Sequence, residues 1–164
     1  MSESRSFDSD RFREVLGHFA TGVTVVTAIE EDQPVGFTCQ SFTSLSLEPP
    51  LVALAPAKSS TSWPRIRQAG FFCVNVLAGH QEALSRIFAR SGGDKFATVK
   101  WAPGKNGAPR LDGALAYVEC RLLLAHEAGD HELVLGAVQD VDSTGEAGPP
   151  LLFYRGRFLR LAAG

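Results

Sequence analysis

Cysteine occurs only three times in this sequence of 164 residues, at Cys39, Cys73 and Cys120. The number is odd, the spacings are wide and no CxxC pair is present, which disfavours both a disulfide framework and a zinc site. The four histidines also lack the i, i+4 or carboxylate spacing of a metal site. We therefore predict no metal, and a reducing cytoplasm is the expected compartment.

An excess of charge of either sign is also missing. The formal net charge is −2, the pI is about 6.1 and the lysines and arginines are scattered, which argues against nucleic acid or an anionic membrane as a partner. No stretch offers about 20 uninterrupted apolar residues, and the opening segment MSESRSFDSD has no apolar core of a signal peptide. We expect neither export nor membrane insertion by signals of this sequence.

Two nucleotide-binding motifs are absent as well. The sequence contains no Walker loop and no GxGxxG. Any nicotinamide nucleotide should therefore bind transiently, not in a dedicated dinucleotide fold.

Hydrophobic residues make up 45% of the chain, which is ample for one core. We predict a single domain over residues 1–164, with residues 1–8 as a flexible tail. Apolar and β-branched runs predict strands over 23–29, 35–38, 51–55, 71–77, 114–128, 131–141, 151–154 and 157–161. With helices only over about 8–19, 63–69 and 81–90, the pattern indicates an antiparallel barrel with helices packed outside it.

The first of these helices has a clear apolar stripe. Asp8 and its neighbours can cap it, and four apolar residues follow at i, i+3, i+4 and i+7: Phe12, Val15, Leu16 and Phe19. We expect this stripe to lie against the core.

Residues 36–62 hold the strongest functional signal. A polar loop rich in short hydroxyl side chains can hydrogen-bond the edge of a flat, heteroatom-rich ring. A buried strand over 51–55 separates this loop from Lys58 and four hydroxyl residues, which stand just before Pro64. Free amides at a helix start, hydroxyls and a lysine suit one phosphate. Each half alone is more often a solvated turn or a capping sequence, but together they indicate a site for a planar ring with a phosphate tail.

The runs GFTCQSFTSLSLEPPLV and KSSTS, together with FREVLGHFATGVTVVT, FFCVNVL, GDKF, GDHELVLG and PLLFYRGRF, resemble the flavin reductase-like family over nearly the whole chain. The resemblance implies a mainly β fold: a six-stranded antiparallel split β-barrel of Greek-key type with a few flanking helices, in a homodimer. It also implies FMN or FAD as the flavin, with NADH or NADPH as hydride donor.

The resemblance further implies which residues bind the flavin. Ring and ribityl contacts fall on Thr38, Cys39, Gln40, Ser41, Thr43 and Ser44. Phosphate contacts fall on Lys58, Ser59, Ser60 and Ser62. Cys39 stands where alanine is frequent in the family, and Gln40 stands where a shorter polar residue is frequent.

Three further motifs extend the predicted site. The GDKF segment places Lys95 and Phe96 near the flavin edge or phosphate, with an ordinary surface salt pair as the alternative. The GDHELVLG segment matches a pattern associated with nicotinamide nucleotide binding, so His131 is expected to orient the dinucleotide without transferring a proton. Tyr154, in PLLFYRGRF, either lies near the flavin or is a core aromatic with its hydroxyl at the surface.

The function implied by the resemblance is an NAD(P)H:flavin oxidoreductase, which supplies reduced flavin to a separate monooxygenase. A different class remains open at this point: a flavin-binding carrier or redox protein that does not oxidise NAD(P)H. A third interpretation is an all-β interaction module whose Ser/Thr loop is only a turn.

Overall fold

The structure of the protein is a computed structural model that describes residues 6–145 and 148–162. Its helices are α1 (Ser9–Leu16), α2 (Trp63–Ala69) and α3 (Glu82–Phe88). Its strands are β1 (Thr21–Gly22), β2 (Thr24–Glu30), β3 (Gln33–Cys39), β4 (Thr43–Leu47), β5 (Pro50–Leu54), β6 (Phe71–Val76), β7 (Trp101–Pro103), β8 (Pro109–Leu111), β9 (Ala116–Ala128), β10 (His131–Ser143), β11 (Leu151–Tyr154) and β12 (Arg157–Arg160).

All strand pairs in the described residues are antiparallel. The principal sheet has the order β3-β2-β6-β9-β10-β5-β4, a smaller sheet has the order β1-β11-β12, and β7 pairs with β8. The predicted fold class, a mainly β antiparallel split barrel with a few flanking helices, is confirmed. The principal sheet has seven strands because residues 43–47, part of the predicted polar loop, pair with β5.

The longest hairpin, β9 and β10, forms the centre of the principal sheet. Its turn contains Gly129 with φ of 66°, a left-handed conformation that glycine adopts without a steric penalty. The register shifts between Leu135 and Gly136, and such irregularities increase the bend of a strand. Side chains pack closely against the backbone of Gly136, where a Cβ would lie 2.9 Å from Phe72 Cζ.

The buried apolar residues form two clusters. Phe37, Phe72 and Val134 belong to a cluster that also includes Trp63 and Ile66 of α2. The cysteines are free thiols and all are buried: Cys39, Cys73 and Cys120.

The apolar stripe of α1 is not covered. None of the residues of α1 is buried, and Phe12, Leu16 and Phe19 are all exposed. The prediction that this stripe lies against the core is therefore wrong for the single chain. The spacing of apolar residues shows that one face is available for packing, but it does not identify what packs there.

The ends of the predicted regions differ in detail. The predicted tail falls largely on residues 1–5, which lie outside the described residues, while the Asp8 side chain accepts a hydrogen bond from the Arg11 amide at 2.8 Å and caps α1. The predicted single domain also contains residues 146–147 and 163–164, which are likewise outside the described part. No helix in the described residues is long and apolar enough to cross a membrane.

Candidate functional site

A cavity of about 560 Å³ opens where β3 ends and the chain leaves β5. We call it the main cavity. Its lining comes from four segments and one hairpin turn: residues 37–41, residues 55–57 with 59–61, residues 88–91, Lys95 and His131. A volume of this size lies within the range of small-molecule sites, roughly 300–1,000 Å³.

The first wall is the end of β3, and hydrogen bonds fix its backbone. Thr38 Oγ1 donates to the carbonyl of Ser85 in α3 at 2.5 Å. Ser41 Oγ accepts from the Ala55 amide at 2.9 Å and lies 3.1 Å from the Ala55 carbonyl. These bonds hold the polar segment against the strand that follows it, so its remaining donors and acceptors have set positions.

Two other residues of this segment differ in exposure. The Cys39 side chain is buried, with Sγ 3.3 Å from Ser41 Oγ. Burial raises the pKa of the Cys39 thiol, so it is protonated at neutral pH and contributes no negative charge. Gln40 is exposed and lies in the cavity wall.

The second wall is the segment after β5, and it is paired with the start of β10. Ala57 forms a β-bridge with His131, and the Lys58 amide donates to the Asp130 carbonyl at 2.9 Å. This pairing places the His131 ring on the same cavity as Ser59 and Ser60.

The hydroxyl of Ser60 has a local structural role. Its Oγ accepts from the amides of Ser62 at 3.3 Å and Trp63 at 3.1 Å, so it satisfies two amides at the start of α2. The amides that the sequence suggested as free phosphate donors are therefore already partly satisfied. Ser59 is exposed and lines the cavity.

Lys95 supplies one of the positive charges of the cavity wall, besides Arg90. Its Nζ donates to three neutral oxygens: the Gly36 carbonyl at 3.1 Å, Ser62 Oγ at 3.2 Å and the Phe88 carbonyl at 3.2 Å. Within residues 6–145 and 148–162 it forms no ion pair with a carboxylate. Partial burial lowers the pKa of Lys95. A charge with only neutral partners is suited to an anionic ligand.

His131 is held from one side only. Its Nδ1 lies 2.7 Å from Asp130 Oδ1, and its side chain is 44% exposed. The hydrogen bond with His131 lowers the pKa of Asp130, so the carboxylate is ionised and can orient the ring at neutral pH. No described residue hydrogen-bonds to Nε2.

Eight residues predicted for the site line the main cavity: Thr38, Cys39, Gln40, Ser41, Ser59, Ser60, Lys95 and His131. The six others lie outside that lining: Thr43, Ser44, Lys58, Ser62, Phe96 and Tyr154. The flavin contacts assigned to thirteen of these residues, and the nicotinamide contact assigned to His131, stay predictions.

The residues outside the lining have identifiable surroundings. Lys58 Nζ lies 3.4 Å from Glu127, and Ser62 is buried beneath Lys95. Phe96 packs edge-on against Phe88, with ring centroids 4.9 Å apart. Each of these side chains has a protein partner.

Thr43 and Ser44 lie in β4, both exposed. Thr43 lines a neighbouring cavity of about 570 Å³, which we call the apolar cavity and which shares Gln40 and Ser41 with the main cavity. Tyr154 is half-buried, and its ring meets the edge of His18.

Sequence reasoning missed several lining residues. Arg90 and Ser91 follow α3 and reach the cavity because that helix packs against β3. Thr61 lies within the hydroxyl cluster but was not singled out. Only Thr61 carried a local signal; the position of Arg90 depends on tertiary packing.

Comparison with known proteins decides the family. The family described as "Flavin reductase like domain" matches residues 16–162. The chain belongs to the flavin reductase-like domain family.

Named relatives of this flavin reductase-like chain agree with that assignment. It is 48% identical over 156 residues to the flavin-dependent monooxygenase, reductase subunit HsaB, of Mycobacterium tuberculosis, covering 94% of this chain and 83% of that protein. It is 43% identical over 155 residues to the FMN reductase (NADH) SmoA of Agrobacterium fabrum, covering 94% and 87%.

A solved structure shares the fold. It is the NADH:FAD oxidoreductase SgcE6 of Streptomyces globisporus in complex with NAD and FAD fragments, with a TM-score of 0.89, 40% identity and coverage of 99% of this chain and 98% of that one.

Proposed function

We propose that this flavin reductase-like protein is an NAD(P)H-dependent flavin reductase that transfers a hydride from a reduced nicotinamide to FMN or FAD. The observation that carries the proposal is one cavity in which residues 38–41, two hydroxyls, the Lys95 ammonium and His131 share walls. Relatives whose names state NADH with FMN, and NADH with FAD, support the same reaction.

The residues present fit a flavin phosphate at one end of the cavity. Lys95 Nζ has only neutral partners among the described residues, and Ser59 offers an exposed hydroxyl on the same cavity. A monoanionic or dianionic phosphate would supply the missing negative charge. We assign the phosphate to Ser59, Ser60 and Lys95, with Lys58 nearby on the same segment.

The other end of the cavity suits the ring. Bound flavin supplies the hydride acceptor, and the nicotinamide supplies the hydride. The backbone of residues 38–41 is fixed by the bonds of Thr38 and Ser41, so its amides are preorganised to hydrogen-bond the ring edge where negative charge develops. Preorganised donors need not reorient during the reaction.

His131 would orient the nicotinamide nucleotide. Asp130 holds its Nδ1, Nε2 has no hydrogen-bond partner among the described residues, and the side chain lines the main cavity. We assign no proton transfer to it, because hydride transfer between the two rings needs none from this side chain.

Anaerobic mixing tests the reaction. Purified protein with FMN or FAD is mixed with NADH or NADPH in a stopped-flow instrument, and the absorbance of oxidised flavin is followed. The proposal expects bleaching far faster than in the same mixture without protein. Flavin that binds, with fluorescence quenching, but is reduced no faster than in free solution would instead assign the protein as a flavin carrier.

A homodimer is the proposed assembly. The exposed apolar residues of α1 are followed in the sequence by Phe19, which lines the apolar cavity. On the edge strand β4, Leu47 is 92% exposed. Exposed apolar side chains that lie close together are typical of an interface. Sedimentation equilibrium should give twice the chain mass, and Leu47→Asp should shift the equilibrium toward the monomer.

The named relatives suggest the role of the protein, and its thiols suggest the compartment. HsaB is named as the reductase subunit of a flavin-dependent monooxygenase, so we propose that this protein supplies reduced flavin by diffusion to a separate monooxygenase. A cytoplasmic location is supported by the three free thiols.

A further inference from the structure

A second, smaller cavity adjoins the main cavity. We call it the small cavity; its volume is about 280 Å³. It lies between the beginning of β3, the first turns of α2 and residues 92–96. Thr61 and Lys95 line both cavities, so a ligand that extends past the phosphate end of the main cavity passes these two residues.

The small cavity has a cation of its own. Arg65 lines it, and Arg65 Nε donates to Glu30 Oε2 at 2.9 Å. In the part of the chain that the structure describes, the two terminal guanidinium nitrogens of Arg65 have no hydrogen-bond acceptor. Asp94, the carboxylate of this cavity, accepts from the Phe96 amide at 3.1 Å, so one of its oxygens is already engaged.

Lys95 and Arg65 follow one another along the path from the main cavity to the small cavity, an arrangement that suits two linked phosphates. Lys95 stands in the wall between the cavities with only neutral partners, and Arg65 stands beyond it. A single phosphate, as in FMN, needs only Lys95. A diphosphate would extend past Lys95 toward Arg65, whose planar guanidinium suits phosphate oxygens.

The remaining walls suit a nucleoside. Pro34, Val35 and Phe96 give the small cavity apolar surface, against which a purine can pack. Its volume is close to the lower limit of about 300 Å³ for small-molecule sites. FMN has no group that would occupy this space.

We propose that the small cavity binds the adenosine 5′-diphosphate portion of a dinucleotide, with Lys95 at the junction and Arg65 on the distal phosphate. This inference rests on the proposed function, because it assumes that the main cavity holds the reacting ring. Both FAD and NAD(P)H carry this portion, so the experiment must separate the flavin from the hydride donor.

The test compares two arginines of the same helix. Arg65 and Arg67 both belong to α2 and each pairs with a mostly buried glutamate, Glu30 and Glu132 respectively. Only Arg65 lines the small cavity. Arg67→Ala therefore controls for the loss of an ion pair on α2.

Two ratios are measured in the wild type, in Arg65→Ala and in Arg67→Ala. The first is Kd for FAD over Kd for FMN, from quenching of flavin fluorescence. The second is KM for NADH over KM for reduced nicotinamide mononucleotide, which lacks the adenylate. We expect Arg65→Ala to raise one ratio about tenfold, as loss of a charge-assisted phosphate contact would, and Arg67→Ala to leave both unchanged.

The ratio that rises identifies the source of the adenosine. A rise in the first ratio assigns the cavity to FAD, and a rise in the second assigns it to the hydride donor. Both ratios within twofold of wild type in Arg65→Ala overturn the proposal. If Arg65→Ala does not fold, Arg65→Gln keeps the length of the side chain and is judged by the same ratios. Failure of the wild type to oxidise NAD(P)H would reject the proposed function instead, while the FAD-to-FMN ratio still tests the cavity.

Discussion

Ser41 Oγ lies within hydrogen-bond distance of both backbone groups of Ala55, 2.9 Å from the amide and 3.1 Å from the carbonyl. One hydroxyl thereby joins the polar segment after β3 to the chain leaving β5, and both of these segments line the main cavity.

Removing that hydroxyl should loosen the site. Ser41→Ala leaves the Ala55 amide without its side-chain acceptor, and a typical hydrogen bond contributes about 1 kcal/mol to stability. We expect Kd for flavin, measured by fluorescence quenching, to rise about tenfold because the wall is no longer held in one arrangement. Ser46→Ala is the control, since its hydroxyl on β4 has no hydrogen bond in the described residues; equal effects of both changes would contradict the role of Ser41.

Replacing Lys95 should weaken phosphate binding and remove a pH dependence. Lys95→Met keeps the chain length but loses the charge, so Kd for FMN should rise at least tenfold. Burial lowers the pKa of Lys95 in the free protein, so its charge is present below that pKa and is lost as pH rises through it.

The matching measurement is Kd for FMN and for riboflavin, which has no phosphate, from neutral to alkaline pH. In the wild type, FMN affinity should fall at a pH below the ordinary titration of lysine, while riboflavin affinity should not share this step. In Lys95→Met the step should vanish. A wild-type profile that is the same for both ligands would rule out a phosphate contact by Lys95.

Replacing His131 should weaken the binding of the hydride donor NAD(P)H and leave flavin binding unchanged. His131→Ala removes a ring on the cavity wall, so KM for NAD(P)H should rise several-fold while Kd for flavin stays within twofold. His126→Ala is the control, because His126 is exposed on β9 and is not among the residues lining the cavity. Unchanged steady-state kinetics in His131→Ala would argue against the reductase assignment.

A cluster of ion pairs far from the cavity should govern stability in acid. Asp140 accepts from Lys105 at 2.8 Å and from Arg110 at 2.9 Å, and the hydrogen bond with Lys105 is the main cause that lowers the pKa of Asp140. The stabilisation by Asp140 is therefore fully present above the ordinary aspartate pKa and is lost as pH falls through the lowered value.

Urea unfolding midpoints between neutral pH and about pH 3 would measure this loss. Asp140→Asn should show a lower midpoint at neutral pH and a weaker decline toward acid than the wild type. Asp10→Asn, on the exposed helix α1, should follow the wild-type curve. Parallel curves for wild type and Asp140→Asn would contradict the assignment.

Gly136 should not tolerate a larger residue. A Cβ there would lie 2.9 Å from Phe72 Cζ and 3.1 Å from Cys120 Cβ, so Gly136→Ala should destabilise the fold by roughly 1–3 kcal/mol through overpacking. At Gly22 a Cβ would meet nothing within 4 Å, and Gly22→Ala should be nearly neutral. Thermal unfolding of both variants checks the difference.

The sequence predicted most strands well because β-branched and apolar runs report burial locally. Asn75, in the run over 71–77, is fully buried with its amide donating to the Val25 carbonyl at 3.0 Å, as a satisfied core amide should. None of the predicted strands covers residues 101–111, where β7 and β8 form a hairpin. Each of these two strands has only three residues, which is too short to show the alternation of apolar and polar residues that identifies a strand.

The sequence predicted the part of the site whose residues are close together in the chain. It did not predict the part that tertiary packing brings together from distant segments. Residues 38–41 precede β5 in the chain, residues 59–60 follow it, and both groups line one cavity. Their closeness in the sequence was enough to predict that they share a site. The cations that line that cavity are Arg90, just after α3, and Lys95, further along the chain, while Lys58 lies beside Glu127. The sequence alone cannot show which of the two lysines lines the cavity, because the residues that surround each of them come from distant segments.

The burial of the three cysteines should protect them from hydrogen peroxide, a by-product of flavin reduction in air. Free reduced flavin reacts with dioxygen and yields hydrogen peroxide, which oxidises thiolates but spares thiols. Burial raises the pKa of Cys73 and of Cys120 to about 12 and raises that of Cys39. The protein is thus built to withstand its own oxidative side reaction, and it should keep its activity through many aerobic turnovers without an added reductant.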